Sequence, residues 1–520
     1  MNESFFHLAK PKRKGILPLI FSRFLFLFLL FVFQIALAVL SYTLLRHYFP
    51  WISGVLTAFT LVMVLYLFNC PMDATGKLTW MLLIAVFPIP GAFILWFTRK
   101  NFLNRRLSDE VNSIAFATEN IIEPDPETLS EIKEKDLGTY NLYKYVNKCG
   151  CFPFYEGTKL KYYDGGEEVF EDMLLDLREA KESIFIESFI IEESFMWGEV
   201  LKILIDKAGK GLDVRVLYDG TNEIRSLPMN YDVLLKRCGI KAKPFSPIKP
   251  VLSSSYNYRD HRKVVVIDSN IAYNASSNFA DEYINRKILY GHWKDAGLRI
   301  TGSAVRSFTL MFLQMWNVGE TEQDFKKYVD IIPKKERTAG YVMPYADSPL
   351  DNDKVGETVY LDILNRASKY VHIMTPYLIL DGELENALKY AAMRGIDVKI
   401  ILPGIPDKKV AYAFAKAHYR RLLEAGVKIY EYTPGFIHSK VFVSDDVKAV
   451  VGTINLDYRS LYHHFECGTY LYECGVIKDI EKDYKDTLKV CSEVTFETIK
   501  KEKIFYKVTG NLLKFLAPLM

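Results

Sequence analysis

A histidine and a lysine two residues apart occur twice in this chain, each at the head of an apolar run: His261-Arg262-Lys263-Val264-Val265-Val266-Ile267-Asp268 and His438-Ser439-Lys440-Val441-Phe442-Val443-Ser444-Asp445. Residues two apart on a strand share a face, so each lysine sets a positive charge beside its histidine. The spacing then repeats. Asp268 and Asp445 stand five residues after their lysines. A hydroxyl residue (Ser276, Thr453) stands fifteen after each histidine and an asparagine (Asn278, Asn455) seventeen after it. A lone histidine on a strand is more often a core residue than a catalyst. Two copies with one internal spacing argue instead for a single site built from two halves. Two His, two Lys and two Asn would make a pocket of hydrogen-bond donors suited to a tetrahedral anion such as phosphate.

Two imidazoles facing one phosphoryl centre allow covalent catalysis. One attacks phosphorus and becomes a phosphohistidine. The other protonates the leaving alcohol and then takes a proton from the incoming one. Each ring needs a partner on its second nitrogen to fix the tautomer. Glu466, 28 residues after His438, is the candidate in the second half; Asp295 and Glu282 are candidates in the first. Asp268 and Asp445 suit the turn that follows each strand, where aspartate accepts from nearby amides. No carboxylate cluster or ligand spacing suggests a metal, and none is expected.

The elements that carry these residues also repeat. Helical periodicity at Val169–Ala180 precedes a β-rich run, Ser183–Phe189, and a second strand follows at Gly211–Asp219. The second half answers with Val359–Ala367, Tyr370–Tyr377, Leu384–Met393 and Gly395–Pro403 before its own His-x-Lys run. Alternating helices and strands predict α/β layers. Their repetition predicts two pseudo-symmetric α/β domains, at 156–335 and 336–520, with the site between them.

Half of the 520 residues are hydrophobic, and the excess sits in the first hundred. Phe24–Leu45, Trp51–Phe68 and Leu78–Phe97 each approach the ~20 residues of a bilayer-crossing helix. Residues 1–100 are therefore expected to be an all-α transmembrane anchor with two or three crossings. Pro88-Ile89-Pro90-Gly91 would break the third. Basic residues at 10–14 and at 99–106 favour the cytoplasmic side for both flanks, and with them a multi-pass membrane protein whose catalytic part is cytoplasmic. Residues 101–155, with Pro124, Pro126 and acidic 131–136, are expected to be a solvated connector. A net charge of +3 is too small for nucleic acid to be the main partner. Seven scattered cysteines predict free thiols.

With its membrane stretches and its doubled site, the chain resembles the phospholipase D superfamily, marked by H-x-K-x4-D followed by G-[GS]-x-N twice per active unit. Within it the chain is similar to the bacterial cardiolipin synthases. His261–Asp268, Thr375-Pro376-Tyr377, Gly452-Thr453-Ile454-Asn455-Leu456-Asp457-Tyr458-Arg459-Ser460-Leu461 and the ending Leu513–Leu519 carry that likeness. The resemblance implies transfer of a phosphatidyl group from one phosphatidylglycerol to another at an anionic bilayer, giving cardiolipin and glycerol, with no metal or nucleotide cofactor. It implies His261 as nucleophile and His438 as acid/base, with Lys263 and Lys440 beside them, and it counts the motif aspartates Asp268 and Asp445 in the catalytic set. Ser276, Asn278, Thr453 and Asn455 would face the phosphate, and Asp295 and Glu466 would orient the histidines. Water or another alcohol as acceptor would make the same site a hydrolase or a different phosphatidyltransferase. One departure stands out: Ala275-Ser276-Ser277-Asn278 replaces the usual Gly-Gly-x-Asn, so any unusual specificity is expected to trace to Ala275-Ser276-Ser277 beside His261.

Overall fold

The computed structural model of the chain describes residues 49–72, 74–99, 102–247, 258–351 and 353–513, with isolated helical positions between 32 and 43. It divides into two compact units. The first, over its described residues, contains the helices Phe49–Phe68, Ala74–Val86 and Pro88–Arg99. Leu67, Trp80, Ile84 and Leu95 form its small core. Phe49–Phe68 is apolar, largely uncovered and long enough to cross a membrane. Ala74–Val86 has 13 residues, too few. The expected third span is two helices meeting at Phe87, because Pro88 has no amide to continue the first one and suits the opening turn of the second. Among the described residues the first unit thus has one helix of spanning length. The expected stretch Phe24–Leu45 lies outside them apart from isolated positions.

The second unit holds both repeats. Its strands are β1 (Thr158–Tyr163), β2 (Ser183–Ser188), β3 (Asp213–Asp219), β4 (Lys241–Phe245), β5 (Arg259–Asp260), β6 (Lys263–Ile267), β7 (Ile271–Ala275), β8 (His292–Lys294) and β9 (Gly297–Gly302). The second repeat adds β10 (Tyr341–Asp347), β11 (Tyr370–Met374), β12 (Asp397–Pro403), β13 (Lys428–Tyr432), β14 (Gly435–Ile437), β15 (Val441–Ser444), β16 (Lys448–Gly452), β17 (His464–Tyr472) and β18 (Cys491–Glu493). One sheet runs β1-β9-β7-β6-β2-β3-β4. The other runs β10-β17-β16-β15-β11-β12-β13-β18 in the same pattern, extended by one edge strand. Parallel pairs β2·β3·β4 and β11·β12·β13 are joined through helices, the connection parallel strands require.

Two short pairings cross from one repeat to the other. β5 runs parallel to the start of β17, with Arg259 opposite His464 and Asp260 opposite Phe465. β14 runs parallel to β8, with Phe436 opposite Trp293 and Ile437 opposite Lys294.

Residues 107–155 are more than a connector. Asp125 caps a helix, Pro126–Lys135, that opens on proline, and Asp136 accepts from the amides of Gly138 and Thr139 to start Leu137–Gly150. Ile114, Ile132, Leu142, Tyr143 and Val146 join the core around the second sheet. The prolines and acidic residues that read as linker are the caps of helices whose apolar faces are buried. All seven cysteines are free thiols.

Candidate active site

Each histidine of the two His-x-Lys runs sits between strands rather than within one. The chain leaves a cross-repeat strand (β5 or β14), passes His261 or His438, and enters a strand of its own sheet two residues after His261 (β6) and three after His438 (β15). The histidine amides hold this switch: His261 N donates to Phe465 O at 2.9 Å and His438 N to Lys294 O at 2.7 Å. The residue after each acceptor is an acid. Glu466 follows Phe465, and Asp295 follows Lys294.

That register decides which carboxylate serves which imidazole. His261 Nδ1 lies 2.8 and 2.9 Å from the Glu466 oxygens. His438 Nδ1 lies 3.3 Å from both Asp295 oxygens. The partners are therefore exchanged between the repeats: each acid orients the histidine of the other half. Sequence proximity suggests the opposite pairing, because it does not reveal the β5·β17 and β14·β8 contacts. Glu282, the third candidate, lies near Lys287, at 3.7 Å.

Burial and charge make the two histidine–acid pairs unlike. Burial pushes Glu466 well above the usual carboxyl range and His261 well below the imidazole range, so the charged form of each is disfavoured. Burial also disfavours ionised Asp295, but His438 and the bond to it prevail and hold it below the ordinary value. His438 itself is depressed to about 4, first by burial and then by Lys440. Burial brings Lys263 down to about 8 and Lys440 well below its normal value. Both lysine ammonium groups reach back to a backbone carbonyl, Lys263 to that of His261 and Lys440 to that of His438. This cluster of mutually depressed cations is complementary to an anion, whose charge would relieve the repulsion.

The remaining expected residues divide by position. Thr453 Oγ1 donates to Glu466 Oε2, and Ser276 Oγ donates to Gly452 O at 3.0 Å in the other repeat, so both hydroxyls brace the site. Asn278 receives the Ile190 amide and donates to the Tyr283 hydroxyl at 2.7 Å. Asn455 Oδ1 is buried with no protein partner among the described residues. Asp268 and Asp445 lie at the far ends of β6 and β15. Asp268 accepts from the amides of Lys181, Glu182 and Ser183. Asp445 does the same for Ser368, Lys369 and Tyr370. They tie down the loop before β2 and before β11. Ala275 packs in the first-half core beside Val169 and Gly297, so its methyl faces away from the histidines.

Two features are absent from the sequence reading. Tyr283, Trp293 and Phe436 surround His438, with ring centroids 5.3, 5.4 and 6.1 Å away. The place of Trp293 is taken on the other side by His464, whose ring lies 5.2 Å from that of His261. His464 is buried, neither ring nitrogen has a hydrogen-bond partner among the described residues, and Nδ1 is 3.7 Å from Glu466. With His261 and Glu466 it forms a group of three possible metal ligands that the sequence spacing concealed. Lys263, Lys440 and the anion-favouring charge around them oppose a cation there. Aligning the two acids after the histidines, rather than the histidines alone, would have placed His464 opposite Trp293.

The cardiolipin synthase, PLD-like domain family matches residues 173–305 and 360–488, one stretch in each repeat. A cardiolipin synthase of Halalkalibacterium halodurans is 33% identical over 485 residues, covering 90% of this chain and 95% of that one. One from Alkalihalophilus pseudofirmus is 32% identical over 480 residues, covering 90% and 95%. An uncharacterised protein of Streptococcus mutans is 51% identical over 457 residues, 88% of this chain and 99% of its own. Among solved structures, the phosphatidylserine synthase of Haemophilus influenzae superposes with a TM-score of 0.56 at 16% identity, covering 73% of this chain and 97% of its own; this likeness speaks for the fold alone.

Proposed function

The chain belongs to the PLD-like cardiolipin synthase family and is a phosphatidyltransferase of that type, and we propose that it joins two phosphatidylglycerol molecules into cardiolipin and glycerol through a phosphohistidine. The observation that carries the proposal is the pair of buried histidines, each with Nδ1 on a carboxylate from the opposite repeat and a lysine two residues on. With Nδ1 engaged, Nε2 is left for chemistry.

The steps balance without a cofactor. Nε2 of His261 attacks the phosphodiester phosphorus of the donor. A P–N bond forms and the P–O bond to the glycerol head group breaks, while His438, which takes up a proton when the anionic phosphodiester binds and offsets the lysine charge, gives that oxygen its proton. A hydroxyl of a second phosphatidylglycerol then returns a proton to His438, attacks phosphorus and displaces His261. Lys263, Lys440, Asn278 and Asn455 are assigned to the non-bridging oxygens, where charge builds in the transition state. Two electrostatic facts support this division of roles. Burial disfavours the charged form of His261, and with its ring proton on Nδ1 toward Glu466 its Nε2 keeps the lone pair that attacks. Ionised Asp295 beside His438 stabilises the imidazolium that enters the first step and is restored by the second.

The N-terminal helices are assigned to a membrane anchor, Phe49–Phe68 supplying at least one crossing, with the catalytic unit on the cytoplasmic face. The deciding experiment expresses the chain in membranes that lack cardiolipin and supplies labelled phosphatidylglycerol. Cardiolipin with free glycerol is expected. Phosphatidic acid without cardiolipin would replace the synthase by a hydrolase.

A further inference from the structure

An apolar and cationic edge of the catalytic unit borders a cleft beside His438. Its first part is the C-terminal helix Ile504–Leu513. Ile504, Phe505 and Val508 lie on one face by their helical spacing and are 79%, 50% and 48% exposed. Lys500, Lys501, Lys503 and Lys507 are exposed around them. The opposite face is firmly seated. Tyr506 packs edge-on against Tyr412 of the helix Lys409–Glu424, with centroids 5.5 Å apart. A Cβ at Gly510 would lie 2.3 Å from Ala413 O, so the two backbones touch and only glycine fits. One side of this helix is thus packed against protein while the other presents large apolar groups among lysines. Apolar surface of that kind marks a docking face.

The second part is a narrow cleft. Tyr412 also lines it, its walls include Leu402, Pro406, Ala415 and Tyr377, its inner wall is Phe436, and its volume of about 10 Å³ holds about one water molecule. Phe436 is one of the aromatic rings around His438. Exposed Lys408 stands at the mouth, with exposed Lys409 next in sequence and Ile405 two residues before Asp407. Ile405 touches the tight turn at Gly291, where φ is +73° and a Cβ would come within 3.2 Å of Ile405 Cδ1. That turn ends a segment peculiar to the first repeat. Twelve residues separate Tyr283 from Asp295, against six from Ser460 to Glu466 at the matching place in the second. The extra residues expose Ile288 and Leu289.

We infer that this edge, from Ile504–Leu513 across the mouth at Ile405–Lys409 to Ile288-Leu289, docks on an anionic bilayer beside the cleft whose inner wall, Phe436, neighbours His438. The inference rests on the lipid-substrate reading and adds the face. Charge selects the occupant. Six exposed lysines meet anionic head groups at roughly 1 kcal/mol each, and the apolar side chains between them enter the acyl boundary. A second copy of the same face would set lysine against lysine.

The test uses the full chain reconstituted in vesicles of phosphatidylcholine and phosphatidylglycerol. Two variants are compared, Ile504→Asp/Phe505→Asp/Val508→Asp and Lys503→Glu/Lys507→Glu. Each receives either the vesicle lipid or a short-chain phosphatidylglycerol added as dissolved monomers. Both variants should lose at least tenfold with vesicle lipid and stay within threefold with the monomer. Equal loss with both substrates, or with neither, overturns the inference. Hydrogen exchange of residues 496–513 supplies a readout independent of activity. Protection should appear in phosphatidylglycerol vesicles and vanish in detergent or pure phosphatidylcholine. Protection that persists in detergent alongside a dimer mass assigns the face to a second copy and overturns the bilayer. Failure of the wild type to transfer phosphatidyl groups from either substrate would sink the proposed function, while lipid-dependent protection would still decide the docking face.

Discussion

Exchange of the orienting acids between repeats makes a prediction that separates this geometry from its alternative. Glu466→Gln keeps the side chain's shape and the bond from Thr453, but removes the carboxylate 2.8 Å from His261 Nδ1. A hydrogen bond to a charged or proton-sharing partner contributes about 1.5–3 kcal/mol, or about 10–150-fold in rate at 1.4 kcal/mol per decade. The loss should fall only on the step that His261 performs. Asp295→Asn should impose a similar loss on the step that His438 performs. The assay quenches a reaction with phosphorus-labelled phosphatidylglycerol and maps the covalent label to a His261 or a His438 peptide by mass spectrometry. If the label is on His261, Glu466→Gln suppresses its formation, whereas Asp295→Asn slows both proton transfers of His438 and leaves the steady-state label largely unchanged. If it is on His438, the two variants exchange effects. The peptide names the nucleophile and the variant names its partner, so neither result depends on the other. Suppression of the label by the acid from the same repeat as the labelled histidine would refute the crossed pairing, whichever histidine carries it.

Four further outcomes follow from the same structure. Asp445→Ala removes the acceptor of three backbone amides at a residue with φ of +59°, and should cost about 2–4 kcal/mol in denaturant melts while kcat changes less than threefold; a large kcat loss with intact stability would return Asp445 to the chemistry. Buried His261 and His438 are neutral in the folded chain, whereas the unfolded chain protonates them near pH 6.5; stability should therefore be complete above pH 6.5 and fall by about 1 kcal/mol per pH unit per histidine as pH drops toward 4, with a shallower slope in His438→Gln. Gly452→Ala would drive a Cβ to 2.4 Å from Cys467 O and displace the carbonyl that Ser276 holds, so a loss of about 1–3 kcal/mol together with reduced turnover is expected, whereas Ala275→Gly should be mild in both melting and rate. His464→Phe removes a buried imidazole without partners and should raise Tm by a few degrees while slowing transfer; a lower Tm would mean that its nitrogens are satisfied in the folded chain.

How far the sequence reached depends on how local each cause is. The His-x-Lys runs, the α/β alternation and the doubling were legible because strand period and spacing are written in contiguous residues. The same holds for the turn role of Asp268 and Asp445, since the residue that ends a strand and starts a left-handed turn is set by its neighbours. The crossed acids were not legible. Glu466 reaches His261 only because two residues of β5 lie beside the start of β17, some two hundred positions away in the chain. His464 was hidden for the same reason. Residues 101–155 misled because caps and linkers use the same residues: Asp125-Pro126 opens a helix here, and what distinguishes the cases is the buried stripe at Ile132, Leu142 and Val146. The anchor was over-read at its third stretch, where hydropathy is continuous but the backbone is interrupted at Phe87.

The exchange of acids also explains why two halves of one chain act as one site. A lone repeat would keep its histidine, lysine and asparagine, yet it would carry an acid aimed at nothing and an imidazole with an unfixed tautomer. Both defects are cured by the same two short parallel pairings, β5 with β17 and β14 with β8, so docking of the halves and arming of the site are a single event. Once each half depends on the other, their sequences are free to diverge so long as the contact register holds. The divergence has a chemical direction. One histidine has an ionised aspartate and a wall of aromatic rings, which suits holding a proton and facing lipid. The other has a buried glutamate and a second imidazole, which keeps it neutral and ready to bond to phosphorus. Pseudo-symmetry of the backbone thus supports asymmetry of role, and the asymmetry resides in residues that each half lends to the other.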